Sequence, residues 1–290
     1  MQNGSGQFHF PRQISLASNP LTEAWLEIRW LARPQTPQAG QLPIGTASES
    51  SVDPFFQLAL GTIYKKIRDR YPFTEALPAN EAPINMLPHN VRFRFRVGHN
   101  LWPVLQFGPG VATVNFISPY SWSAFSEEAM TLQATLMSAY DNAVLEPQGY
   151  FLRYRNAFEF NHTTHSILEF LADNLNFPVS LSPHIPGAVG DPTWPTDVNL
   201  SFRFGLSSPR GSGVVRIASG YQLDGSSQQE DTKGLPVVVC EFEVQTQASD
   251  APPLTDGALY GQWLEDAHAV IHEWFFATID GPLRAAYDRR

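Results

Sequence analysis

Cysteine is nearly absent from this 290-residue chain, which contains only Cys240. A single thiol forms no intrachain disulfide, and this favours a protein of the reducing cytoplasm. No apolar run approaches the roughly 18 residues that a membrane-spanning helix needs, so we expect no membrane span. The N-terminal residues lack a basic segment followed by an apolar one, and we therefore expect no secretory signal.

Basic charge is also scarce. The chain has 19 lysine and arginine residues against 28 acidic ones, for a net charge of −9. Residues 1–160 are balanced, whereas residues 161–290 hold seven basic and sixteen acidic side chains. A general nucleic-acid-binding protein needs surplus cations to neutralise phosphates, so binding of generic nucleic acid is not expected. The hydrophobic fraction of 43% is that of an ordinary folded protein.

Alternating apolar patterns predict strands, and apolar residues at three- and four-residue spacing predict helices. An Asp53-Pro54 pair is typical of a helix start and precedes such a helical pattern. The predicted strands are 21–31, 91–97, 102–107, 111–117, 149–160, 198–205, 213–223 and 235–247. Residues 178–181 are compatible with a further short strand. The predicted helices are 53–67, 123–140, 164–175 and 257–279.

This order predicts an α+β fold with mostly antiparallel, curved sheets and a long C-terminal helix. The two halves show a similar order of one strand, one helix, three or four strands and one helix, which indicates an internal duplication. The expected divisions are a polar tail (1–18), a first α+β unit (19–146) with a polar insert (32–52), and a second α+β unit (147–290).

Four segments in the same order resemble a sporadically distributed family of uncharacterised prokaryotic proteins. They are NPLTEAWLEIRW at 19–30, GPGVATVNFISPYSW at 108–122, LRYRN at 152–156 and WLEDAHAVIHEWF at 263–275. The resemblance implies no established activity, cofactor or catalytic residue. The sporadic distribution of that family is typical of accessory genes, such as defence or toxin–antitoxin modules.

One set of metal-ligating side chains lies on the last predicted helix. Glu265, His268 and His272 are spaced so that they follow one side of that helix. We interpret them as lying off the apolar stripe defined by Trp263, Ala267, Val270, Ile271 and Trp274. No further ligand motif accompanies them, so we expect no metal and no cofactor.

Arginines on predicted strands form the other candidate site. Arg92, Arg94 and Arg96 alternate with apolar residues, Arg153 and Arg155 share one face of a later strand, and Arg29 lies on the first. Together with Tyr154, these side chains could form the floor of an anion-binding cup. The interpretation we favour is a solvated sheet face in which they pair with Glu23, Glu27 and Glu159.

Three functions are compatible with these patterns. The first is a non-enzymatic, cytoplasmic binding or accessory protein that acts through a protein partner, because no catalytic constellation is assembled in the sequence. The alternative is a cup that binds a small anionic ligand or acts as an enzyme. RNA binding on the arginine face is the weaker alternative. Homo-oligomerisation is compatible with all three.

Overall fold

Antiparallel strands form the centre of the structure. A computed structural model describes residues 19–35, 52–83, 87–182, 184–185, 194–222 and 234–288. Within these residues, nine strands form one sheet and five α-helices accompany it. The predicted polar tail lies outside the described residues, as does most of the predicted insert (36–51). Residues 32–34, which we assigned to the insert, instead extend the first strand.

The strands are β1 (Leu21–Pro34), β2 (Phe73–Ala76), β3 (Phe93–Arg96), β4 (Val104–Gly108), β5 (Val111–Phe116), β6 (Ala143–Glu159), β7 (Asn199–Ser207), β8 (Arg210–Gln222) and β9 (Leu235–Gln247). The helices are α1 (Phe56–Ile67), α2 (Trp122–Ala139), α3 (Ile167–Asn174), α4 (Gly257–Ile279) and α5 (Pro282–Asp288). A 3-10 turn spans Pro78–Glu81.

Side-chain caps explain where three of the helices begin. Ser121, Ser166 and Asp256 each accept a hydrogen bond from a backbone N–H of the first turn of α2, α3 and α4. The expected cap at Asp53 is wrong, because α1 begins only at Phe56. The buried Asp53 carboxylate accepts hydrogen bonds from the Phe55 N–H (3.1 Å), just before the helix, and from Tyr140 Oη (2.6 Å) and the Gly110 N–H (3.2 Å). These bonds tie the start of α1 to the end of α2 and to the β4–β5 hairpin.

The sheet order is β2-β3-β4-β5-β1-β6-β9-β8-β7, and each neighbouring pair is antiparallel. In the first half of the chain, the opening strand β1 pairs with the last strand, β5. In the second half, the opening strand β6 likewise pairs with the last, β9. The long β1–β6 pairing joins the two halves at the middle of the sheet. The halves differ in the number of strands, five in the first and four in the second, and the internal duplication remains a prediction.

One face of the sheet packs against helices and forms the core. Along β1, Ala24, Leu26, Ile28 and Trp30 are buried on this face, and they meet apolar residues from β5, β6 and the helices. Helix α2 contacts β5, and α4 contacts β6 and β9. We call the opposite side, which presents the alternate residues Glu23, Trp25, Glu27 and Arg29 of β1, the open face.

The structure confirms the α+β class, the antiparallel sheet and the long C-terminal helix. The sequence patterns missed β2, a four-residue edge strand whose residues are all exposed and which therefore lacks an apolar alternation. Residues 178–181 form no strand. No helix in the described part of the chain is long and apolar enough to cross a membrane.

Candidate functional site

Five of the six predicted arginines share the open face. The register aligns Trp25 with Arg153 and Glu23 with Arg155 across β1 and β6. Arg29 lies on the same face of β1, and the register through β5 and β4 places Arg94 and Arg96 of β3 there as well. Antiparallel pairing therefore brings these five arginines to one surface, as expected.

Glutamates neutralise the centre of this face. The Arg153 guanidinium contacts Glu243 and lies 3.4 Å from Glu241, and Arg216 lies 2.5 Å from Glu241 and 3.4 Å from Glu243. Glu243 is fully buried, and burial alone would raise its pKa. Hydrogen bonds from Gln245 and Arg216, together with the charge of Arg153, instead lower the pKa of Glu243. This cluster forms a cross-strand ladder on β6, β9 and β8.

Three more of the predicted arginines on this face pair with glutamates. Arg94 and Arg96 lie 3.2 and 3.7 Å from Glu75, and Arg29 contacts Glu27. Aromatic rings cover several of these guanidiniums: Trp25 lies against Arg153, Phe151 against Arg29, and Trp102 against Arg96. Such cation–π contacts shield the charge further from a ligand.

The predicted glutamate partners are only partly correct. Glu27 pairs with an arginine as expected, but among the described residues neither Glu23 nor Glu159 does, and Glu23 accepts a hydrogen bond from Asn115. Of the predicted arginines on this face, Arg155 alone has no ion pair within the described chain. Within the described residues, the arginines of the open face without a carboxylate at ion-pair distance are Arg155 and, on β7, Arg203, so most of the positive charge of this face is neutralised.

Two predicted site residues lie elsewhere. Tyr154 points to the helix-covered face, since the period of a strand sends neighbouring side chains to opposite sides. Arg92 precedes β3, and its side chain runs beneath the segment that contains the 3-10 turn. There Arg92 Nη1 donates to Ala82 O (2.6 Å) and Nη2 to Pro83 O (3.1 Å). Neither Arg92 nor Tyr154 contributes to a cup on the open face.

Arg92 lines a cavity of about 670 Å³ beside α1. Phe56, Leu60 and Phe93 supply apolar walls, and Gln57, Asn80 and Glu81 lie among the polar lining residues. Arg92 itself is only 2% exposed, and its Nε has no hydrogen-bond partner among the residues that the structure describes. The buried guanidinium therefore keeps an unsatisfied N–H donor beside this cavity, whereas buried polar groups are normally hydrogen bonded.

Tyr154 and His268 form a polar chain between the sheet and α4. Tyr154 Oη lies 2.5 Å from Tyr120 Oη and 2.8 Å from His268 Nδ1. The imidazole of His268 stacks on the Trp122 ring at 3.8 Å between centroids, and Trp122 Nε1 donates to Glu265 at 3.1 Å. These contacts dock α4 onto α2 and β6.

The expectation that His268 lies off the buried side of α4 is therefore wrong, because the ring packs between Trp122 and Tyr154. Burial, and secondarily the neighbouring His272, lower the pKa of His268 to about 3. Glu265 is exposed, as expected. No group of three His, Cys, Asp or Glu side chains in the described residues is placed to hold a metal ion. Metal-free protein remains a prediction.

The last strand of the sheet, β7, is an exposed edge. Within the described residues it pairs with β8 alone, and most of its nine residues are exposed. On its helix side, Phe202 packs against Phe177 at 5.1 Å and Phe204 against Trp274 at 5.5 Å. Phe177, Phe204, Leu206 and Trp274 line a groove of about 370 Å³ that runs beside the strand.

Sequence reasoning did not single out this edge or the Arg92 cavity as sites. The alternation of Phe202, Arg203 and Phe204 predicts a strand, but the sequence does not tell whether that strand lies inside the sheet or at its edge. No known protein family and no curated protein matches this chain.

Proposed function

We propose that this is a non-enzymatic binding protein that captures an extended segment of a partner protein as an additional strand beside β7. The observation that carries the proposal is the long, exposed edge next to an apolar groove. Unpaired backbone N–H and C=O groups at such an edge bind an incoming strand, and a neighbouring groove selects its side chains. The cytoplasm is the compartment that the composition favours.

The two edges of the sheet differ in a way that supports this choice. The β2 edge has four residues, and short edge strands are one means by which proteins prevent pairing with other chains. The β7 edge has nine residues, and its sequence contains neither proline nor lysine, the residues that commonly protect an edge. Docking of a strand is therefore favoured at β7.

Charge disfavours a second copy of the chain as the occupant. Two β7 strands that pair antiparallel about their midpoint bring Arg203 opposite its own symmetry mate. Like charges directly opposite each other in a sheet are destabilising. Arg203 hydrogen bonds to Ser212 Oγ and Gln245 Oε1 and has no carboxylate partner within the described residues. An acidic side chain on a different protein would supply that partner.

The partner segment we propose carries an acidic residue between two apolar residues. The acidic side chain lies opposite Arg203 on the open face, and the flanking apolar side chains lie beside Phe202 and Phe204 on the helix side. This alternation follows from the period of two along a strand. A partner of this kind places apolar surface against the groove while it neutralises an exposed cation.

Site-specific photo-crosslinking in the native host tests the proposal. A benzophenone-bearing phenylalanine analogue replaces Phe204 in one sample and Phe73 in the control. The two positions are matched, since Phe204 is 47% exposed and Phe73, on β2, is 48% exposed. We expect one dominant crosslinked protein at position 204 and none of it at position 73.

The crosslinked peptide must then have the proposed chemistry. We expect mass spectrometry to map it to an extended segment in which an acidic residue separates two apolar ones. The Phe204→Lys variant should weaken binding of the purified partner about tenfold or more, since loss of an aromatic anchor typically costs about 2 kcal/mol. Phe73→Lys should leave the affinity for the purified partner unchanged. A crosslink to a second copy of the chain, equal crosslinking at both positions, or none at 204 would overturn the proposal.

A further inference from the structure

The Arg92 cavity lies at the other end of the sheet from β7 and is independent of strand capture. Its central side chain is held firmly in place. The Arg92 N–H donates to Phe107 O and its carbonyl accepts from the Leu77 N–H, both at 2.8 Å. The guanidinium donates to Ala82 O and Pro83 O. These four bonds position the cation without neutralising it.

The charge of Arg92 has no counterpart in the described residues. Arg96, the least exposed of the paired arginines on the open face, lies 3.7 Å from Glu75, whereas Arg92 is more deeply buried and has no such partner in the described residues. Arg92 contacts backbone carbonyl oxygens, and its Nε is covered yet unbonded. Burial without a nearby carboxylate lowers the pKa of Arg92. Buried charges in proteins are normally paired, so an anion is the group that this environment lacks.

We propose that the cavity binds a small monocarboxylate with an apolar body. With one N–H of Nη1 and one of Nη2 given to carbonyl oxygens, the Nε–H and a second Nη N–H remain, and this side-by-side pair of donors matches the two oxygens of a carboxylate. Phe56, Leu60 and Phe93 form the walls that would receive the apolar body. Glu81 is exposed and lines the same cavity, and its negative charge disfavours ligands with a second charge, such as phosphate esters.

Ligand-observed NMR on the full chain tests this site, with benzoate as the probe and benzamide as its neutral isostere. We expect saturable benzoate binding with a Kd of about 1 mM or tighter, as is typical of a fragment of this size. Benzamide should bind at least about tenfold more weakly. Phenyl phosphate, which carries additional charge, should also bind more weakly than benzoate.

Two variants, with one matched control, test whether benzoate binds in the Arg92 cavity. Leu60→Trp fills the cavity without removing Arg92, and we expect it to weaken benzoate binding about tenfold or more. Leu58→Trp is the matched control, because Leu58 lies on the same helix, is 80% exposed and does not line the cavity. Arg92→Gln should abolish binding, and Leu60→Trp keeps the test valid if Arg92→Gln fails to fold. Absence of saturable binding up to about 10 mM, equal binding of benzamide, or no effect of Leu60→Trp would overturn the proposal.

Discussion

The half-buried imidazole of His268 makes the stability of the fold depend on pH, and one substitution reveals this dependence. His268 stacks on Trp122 and lies 2.8 Å from Tyr154 Oη, and the charged or titratable groups near it are Glu265 and His272. Burial and His272 lower the pKa of His268 to about 3. The native state therefore resists protonation of this ring at mildly acidic pH.

The sign of the effect follows from this lowered pKa. In the unfolded chain a histidine binds a proton below a pKa of about 6.5, whereas native His268 binds one only near pH 3. The unfolded state thus gains protons first, and stability falls by about 1.4 kcal/mol per pH unit between these values. From pH 7 to pH 4.5, this one residue removes about 2.5 kcal/mol from the free energy of unfolding.

Urea denaturation of wild type and His268→Gln at pH values from 7 to 4.5 measures this contribution. The variant loses the Trp122 stacking, so we expect it to be less stable than wild type at pH 7. The difference in free energy of unfolding between the two proteins should narrow by about 2.5 kcal/mol at pH 4.5. His165→Gln, at an exposed histidine, is the matched control. A gap for His268→Gln that stays constant within about 0.5 kcal/mol across this range would refute the reasoning.

Three further predictions concern the sheet. Residues 19–145 and 148–280 should superpose as two similar units in an experimental structure, with β1 on β6 and β5 on β9, and unrelated paths of the two halves would contradict the duplication. Glu243→Ala should lower the free energy of unfolding by about 2 kcal/mol, because it removes the buried carboxylate that Arg153 and Arg216 share and leaves Glu241 as the remaining partner of both, whereas Glu75→Ala at a half-exposed pair should cost below about 1 kcal/mol in the same urea assay. Single-stranded RNA should bind no more tightly than about micromolar at physiological salt, because glutamates neutralise the open face; sub-micromolar, salt-sensitive binding in fluorescence anisotropy that Arg94→Glu abolishes would contradict this.

The elements of the fold were predictable where one physical pattern dominated. The alternation of Phe93 to Arg96 and the apolar spacing along α4 predict those elements because one face of each is buried. Pairing partners were not predictable, since Glu241 and Glu243 lie about 90 residues from Arg153 in the sequence and meet it only through the β6–β9 register. Glu159 was a wrong prediction of an arginine partner for the same reason, since the sequence alone does not give the register between strands.

Positions near the ends of elements were the least predictable parts of the candidate site. Arg92 continues the alternation of Arg94 and Arg96 in the sequence, yet β3 begins at Phe93 and the Arg92 side chain binds the carbonyls of a neighbouring loop. The helical angle alone predicts that His268 lies off the apolar stripe of α4. Trp122, from a distant part of the chain, covers that side and buries the imidazole.

Hydrogen exchange read by mass spectrometry tests strand capture most directly. The protein is measured alone and in complex with the purified partner that crosslinking identifies. An added strand bonds the free backbone amides of β7, so exchange across Asn199–Ser207 should slow at least about tenfold while exchange at Phe73–Ala76 stays unchanged. Unchanged exchange across β7 in the saturated complex would contradict the account.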